Sequence, residues 1–212
     1  VLDRAQLDRR QLDREIEQNA ARAVELLSRL VEQPSTVGQE AGAQEVLAAE
    51  LDAAGFAVER LEIPDDIGAD PLAGVPRAPY AGRYDIVARR GPAQGRSLLI
   101  NGHMDVVPAD DATPWSSPPF SPVIVDGWLH GRGAGDMKSG FAAGMLAIWA
   151  LDSAAPNWLT GPLTIVSAID EEYTGNGTLA AARAGHLADA AILLEPTELD
   201  ILLAGIGIVW VG

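Results

Sequence analysis

Asn101-Gly102-His103-Met104-Asp105-Val106-Val107-Pro108 is the stretch on which the fold turns. It grows out of Leu98-Leu99-Ile100, a short apolar run of the length and composition of a buried strand. It delivers an imidazole and a carboxylate two positions apart, which point to one side of an extended chain. Two later apolar runs end in the same way. Leu163 to Ile169 leads into Asp170-Glu171-Glu172, and Ala190 to Leu194 leads into Glu195-Pro196-Thr197. In open α/β sheets, ligands bind outside the carboxyl ends of the strands. His103, Asp105, Asp136, Glu171, Glu172 and Glu195 are therefore expected at one sheet edge, a set of oxygen and nitrogen donors suited to a hydrolytic metal site.

Working outward, Ile16, Ala20, Ala23, Val24, Leu27 and Leu30 recur at helical spacing from about Arg14 to Val31, and Pro34 ends that helix. A second helix is predicted from Gln39 to Ala54, closed by Gly55, and an alternating strand from Phe56 to Ile63. Residues 64–82, rich in Pro, Gly and Asp, read as a surface loop. Tyr84 to Arg89 and Ser97 to Asn101 read as adjacent strands joined by the turn Gly91-Pro92-Ala93-Gln94-Gly95. The proline-rich connection 106–122 is long enough to be read as functional. Val123-Ile124-Val125 and Trp128-Leu129-His130 flank Asp126-Gly127, a type I′ hairpin signal. A helix over Met137 to Leu151, strand 163–169, helix 176–185 and strand 190–194 complete the pattern. The expectation is a three-layer α/β/α sandwich around a central mixed, largely parallel sheet.

With 212 residues and 48% hydrophobic content, the chain can build a real core. Thirty acidic against fifteen basic residues give a net charge of −15, which excludes the basic face that nucleic acid requires. Most of these carboxylates, Asp110 and Asp111 included, read as solvated surface. There is no cysteine, so thiolate ligands, disulfides and a cysteine nucleophile are excluded. No run reaches the roughly 18 apolar residues of a membrane helix, and no secretory signal opens the chain. A soluble, cytoplasmic protein is expected, with no nucleic-acid or membrane partner. Three Leu-Asp-Arg repeats make residues 1–13 a polar leader, and residues 14–205 form the main unit. The apolar strand 206–212 reads as the seam to a part that lies beyond it.

Residue chemistry sorts the six. His103 offers a neutral nitrogen ligand, while Asp105 is either a ligand or the acceptor that orients His103. Asp136 follows Gly131-Arg132-Gly133-Ala134-Gly135, read as a loop whose backbone can approach an ion, and its two oxygens could bridge two metals about 3.5–4 Å apart. Of the adjacent Glu171 and Glu172, one can bind metal while the other moves protons. Glu195 adds an oxygen ligand. With no sulfur in the set, zinc leads, and cobalt and manganese also fit. Singly, each residue has a plain structural explanation; only their convergence argues for a site. Lys138-Ser139 lacks the preceding Gly of a phosphate loop, and no Gly-x-Ser-x-Gly elbow occurs.

The block 101–140, with Trp115, Pro119-Phe120, Asp126-Gly127 and Gly131 to Gly140, resembles a known enzyme family. It is the dinuclear zinc family of acetylornithine deacetylase, succinyl-diaminopimelate desuccinylase, aminoacylase and glutamate carboxypeptidase. Asp170-Glu171-Glu172 and Glu195-Pro196-Thr197 match its later motifs, so the resemblance runs from about Ala20 onward. It implies two Zn2+, with His103 and Glu172 on one ion, Glu195 on the other and Asp136 bridging. It makes Asp105 the partner of His103 and Glu171 the general base, and it places a cis peptide at Asp136-Met137. The activity implied is hydrolysis of the amide bond of N-acyl amino acids, with an exopeptidase on the same metal core as the alternative. The substrate is a small N-acyl amino acid or short peptide. The family's further metal-ligand histidine has no counterpart here; His130 and His186 read as structural, the latter favoured at a helix C-terminus by the dipole. Residues 206–212 resemble the start of the family's lid and dimerisation domain, so a homodimer is implied at full length, and the chain alone could be a non-catalytic fragment.

Overall fold

The structure is a computed structural model that describes residues 8–109 and 114–197. Asp110, Asp111, the first part of the leader and the strand expected at 206–212 lie outside the described residues. Helix α1 spans Arg9–Val31, starting earlier than the apolar periodicity because Asp8 caps it, accepting the Arg10 N–H at 2.9 Å. It takes in residues 9–13, which the sequence reading placed in the polar leader. Helix α2 (Ala41–Ala53) and strand β1 (Ala57–Glu62) follow, linked through Gly55 at φ +78. Strands β2 (Tyr84–Arg90) and β3 (Leu98–His103) precede the hairpin β4 (Val123–Val125) and β5 (Trp128–His130). The hairpin turn has positive φ at both Asp126 and Gly127, as a type I′ turn requires. Helix α3 (Ser139–Ala154), β6 (Leu163–Ala168), α4 (Asn176–Arg183) and β7 (Ala190–Leu193) are the remaining α-helices and strands among the described residues.

The main sheet has the order β1-β2-β6-β3-β7. Strands β6, β3 and β7 run parallel, and β2 is antiparallel to both β1 and β6. The expected adjacency of β2 and β3 is therefore wrong: β6 lies between them and pairs with both. Residues 91–97 are long enough to bridge two strand spacings of about 5 Å each. Gly91 and Gly95 pack directly on the backbone of Gly161 and Thr160, at the entry to β6. Inserting β6 centrally buries Leu163, Ile165, Val166 and Ala168 almost completely, which a β2–β3 hairpin would not achieve.

The sheet is covered on both faces. Leu26 and Leu30 of α1, Leu47 and Leu51 of α2, and Phe141 and Met145 of α3 pack on Ile86, Ile165 and Leu163. On the other face Ala181 of α4 meets Val87, Val166 and Ala168. Tyr80 and Ile67, from the 64–82 segment read as surface loop, are buried against Ile63, Ile169 and Ala180. No helix among the described residues is long and apolar enough to cross a membrane. The parallel core points the carboxyl ends of β6, β3 and β7 to one edge.

Candidate metal centre

His103 is the last residue of β3 and is 2% exposed. Its Nδ1–H donates to the Asp105 carbonyl oxygen at 2.9 Å, which leaves Nε2 facing the opening. Nε2 lies 3.1 Å from Asp136 Oδ1, 3.6 Å from Glu195 Oε1 and 3.7 Å from Glu171 Oε2. Glu172 joins the same group: ligand atoms of His103, Asp136 and Glu172 all lie within 4.8 Å of one another. The structure thus brings together five of the six predicted side chains around one imidazole nitrogen. The sixth, Asp105, sits behind them, fully buried.

Asp105 has a task that its sequence context does not announce. Its Oδ1 accepts the Glu171 N–H at 3.0 Å and its Oδ2 accepts the Glu172 N–H at 3.1 Å. The carboxylate is 3.6 Å from His103 Nδ1, so it faces the ring as a charge while its own backbone carbonyl takes the hydrogen bond. One residue therefore ties the imidazole of β3 to the loop that follows β6.

Asp136 stands in an irregular turn, Ala134–Lys138, and the Asp136-Met137 peptide is cis. The flanking glycines answer to packing rather than to an ion. A Cβ on Gly131 would lie 2.4 Å from Val31 Cγ1, and one on Gly133 would lie 2.6 Å from Val106 Cγ1. The turn is anchored from below by Lys138, fully buried, whose Nζ donates to the carbonyls of Leu30 at 2.8 Å and Gln33 at 3.0 Å. These cap the C-terminal end of α1. Met137 Sδ accepts the His103 N–H, and Gly102 leaves room for that side chain.

The electrostatics of the cluster call for a cation. Burial, then repulsion from Asp136, pushes Glu172 up to about 7. Burial likewise raises Glu171 and Glu195, although the His103 charge opposes it. Burial would lower His103, yet the Asp105 and Asp136 carboxylates outweigh it and hold the imidazole up to about 11. Asp136 is lowered chiefly by its hydrogen bond to His103. A divalent ion among these donors would relieve the crowding of carboxylates, and a nitrogen-and-oxygen donor set suits zinc. The residues present fit a metal.

Residues 99–209 match Peptidase family M20/M25/M40, more than half of the chain. The chain belongs to this peptidase family. Solved structures agree at the level of the fold. The di-peptidase Dug1p of Saccharomyces cerevisiae is 18% identical with a TM-score of 0.69, over 86% of this chain and 40% of its own. Human carnosine dipeptidase 1 is 21% identical with a TM-score of 0.65, over 87% of this chain and 40% of its own. The M20 family metallo-carboxypeptidase Sso-CP2 of Sulfolobus solfataricus is 19% identical with a TM-score of 0.60, over 81% and 36%. The chain thus spans about 40% of the length of the first two proteins.

Within this M20/M25/M40 chain, the other histidines sit apart from the metal-ligand group. His130 is exposed at the end of β5 and, with Trp115, Leu129 and Gly135, lines an open cavity of about 370 Å3. His186 follows the C-terminal end of α4, where its N–H donates to the Ala181 carbonyl at 3.0 Å. Its Nδ1 is 2.6 Å from Arg89 Nη2, and burial followed by the Arg89 charge lowers its pKa. The residues that sequence reasoning missed are those that hold the site: Tyr80, Arg83, Asp85, Lys138 and Asn176. Only Lys138, adjacent to the Asp136 motif, carried a local signal.

Proposed function

We propose that this chain is the metal-binding portion of an exopeptidase that hydrolyses the terminal peptide bond of short peptides, with two Zn2+ as cofactors. The observation that carries it is the convergence of His103, Asp136 and Glu172 within 4.8 Å, with Glu171 beside them, in a chain of a peptidase family. Deacylation of N-acyl amino acids, which the motif resemblance ranked first, uses the same amide chemistry. The peptidase neighbours move peptide cleavage ahead of it.

In this reading His103, Asp136 and Glu172 would hold one ion, and Asp136 and Glu195 would contribute to holding a second. Bound zinc supplies Lewis acidity, lowering the pKa of water and polarising a substrate carbonyl. Asp105 holds His103 in the tautomer that presents Nε2 as a ligand, through its backbone carbonyl. Glu171 is the proton carrier: it takes a proton from the attacking water and hands it to the departing nitrogen. Its half-buried position raises its proton affinity from the ordinary carboxylate value towards that of a working base.

The test uses a panel of dipeptides and N-acetyl amino acids, with zinc added, on this chain and on a longer chain that contains it. Dipeptide cleavage should exceed deacylation; the reverse order would restore the deacylase reading. Glu171→Gln should keep its metal and lose about 100-fold or more in turnover, the usual contribution of a positioned base. Normal turnover by that variant would overturn the role given to Glu171.

A further inference from the structure

The loop that carries Glu171 and Glu172 lies beyond the end of β6, where sheet hydrogen bonding has stopped. Its amide groups are instead received by side chains. Ile169 N–H donates to Asp85 Oδ1 of β2 at 2.9 Å, and Asp105 takes the next two amides of the glutamate pair. Between them stands Asp170, fully buried and in the left-handed region at φ +62. Aspartate is among the few residues that adopt this conformation readily, because its short polar side chain bonds locally.

The Asp170 carboxylate is gripped from outside the loop. Oδ2 accepts the Tyr80 hydroxyl and, at 2.6 Å, the Thr174 hydroxyl. Oδ1 lies 3.6 Å from Arg83 Nη2, and Arg83 is itself ion-paired with the buried Glu40 at the start of α2. The Tyr80 hydroxyl in turn accepts from Asn176 Nδ2 at 2.9 Å, and Asn176 ties down both polar groups of Gly74. The Asp170 carbonyl accepts Thr174 N–H at 3.1 Å and Gly175 N–H at 2.9 Å, closing the loop on itself. Tyr80, Arg83, Glu40 and Asn176 are all buried, and none reaches the metal-ligand group itself.

We propose that Asp170, held by Tyr80 and Arg83, is a positioning residue that sets the direction in which Glu171 and Glu172 leave the backbone. One backbone conformation at residue 170 decides which of the two adjacent glutamates meets His103 and Asp136 and which stands beside them. A buried anion clamped by a tyrosine hydroxyl and a guanidinium fixes that conformation more firmly than a solvated loop can. The proposal rests on the reading of Glu172 as a metal ligand.

The experiment titrates Co2+ into the 212-residue chain and its Tyr80→Phe and Asp170→Asn variants, reading affinity and the visible absorption of the bound ion. Asparagine keeps the shape and tolerates positive φ, so Asp170→Asn removes the charge without forcing a new backbone. Both variants should bind Co2+ roughly 10–100-fold more weakly, the usual effect of losing a group that orients a ligand, with an altered spectrum. Tyr84→Phe, which removes a tyrosine–carboxylate bond to Glu45 elsewhere on the surface, should leave both readouts unchanged. Wild-type affinity and spectrum in both variants would overturn the proposal, even if their melting temperatures fell. Amide hydrogen exchange at Glu171 and Glu172 in the metal-free chain separates the two claims. If the wild-type chain ignores Co2+, the metal reading fails, and unchanged exchange in the variants then sinks the positioning role independently.

Discussion

Asp85 offers a stability test that isolates one buried group. It is fully buried in β2, and its Oδ1 accepts the Ile169 N–H while Oδ2 has no hydrogen-bond partner among the described residues. Burial, reinforced by the nearby Asp105 charge and opposed by the Ile169 amide, pushes its pKa up to about 8. In the unfolded chain the value returns to about 3.9. The folded state therefore holds a proton that the unfolded state has released, so the contribution is complete below about pH 4 and is lost as pH rises towards 8. Between pH 5 and pH 8 the loss integrates to roughly 3.5 kcal/mol, at about 1.4 kcal/mol per pH unit until the folded-state value is approached. Asp85→Asn keeps an oxygen for Ile169 and removes the titration. Urea unfolding of both proteins at pH 5 and pH 8 gives the double difference, in which every other titrating group cancels. Relative to wild type, the variant should gain about 3.5 kcal/mol on going from pH 5 to pH 8. A wild-type–variant difference that is the same at both pH values would refute the assignment of a neutral, buried carboxyl to Asp85.

Metal binding should be coupled to proton release. His103 is held up to about 11 and Glu172 at about 7, and both must be deprotonated to act as ligands, so zinc binding at pH 7 should release about 1.5 protons. Calorimetry in buffers of different ionisation heat measures this, and heats independent of buffer would contradict the ligand role of His103. Gly177→Ala sets two effects against each other in the first turn of α4. Helix propensity favours alanine by about 1 kcal/mol. The added Cβ, however, would sit 2.3 Å from the Ile169 carbonyl and 2.8 Å from Asp85 Oδ1. Overpacking of this kind costs about 1–3 kcal/mol, so the net change should be destabilising; a more stable variant in thermal unfolding would show that the helix moves freely away from the strand end.

Local pattern was enough for the elements with strong period or strong punctuation. The α1 and α2 periodicities, the Asp126-Gly127 turn and the apolar runs of β3, β6 and β7 all read correctly to within a few residues. Each is decided by short-range sterics and by which face must leave water. The adjacency of β2 and β3 did not read correctly. Nothing between Arg90 and Leu98 reveals that β6, about 65 residues later, will enter between β2 and β3. That choice depends on how much apolar surface the whole sheet can bury. The surface reading of 64–82 holds for most of the segment and fails only at Ile67 and Tyr80, because Pro and Gly content describes the backbone and not the fate of two apolar side chains.

The chemistry divides along the same line. Residue types that bind metal and move protons are few, so placement just beyond strand ends marked His103, Asp105, Glu171, Glu172 and Glu195 as candidates from the chain alone, and the glycine-rich approach marked Asp136. The sequence also determined what the site could not contain, since a chain without cysteine has no thiolate to offer. Tertiary structure decided how these groups meet: that Asp105 receives two backbone amides, that the glycines of 131–133 make room for Val31 and Val106, and that Tyr80 and Arg83 hold Asp170. The partners of Asp105 and Asp170 lie about 65–90 residues away in sequence and carry no motif. Hydrogen bonding between buried groups is a condition on the folded whole, where every donor must find an acceptor, and no local window contains that condition.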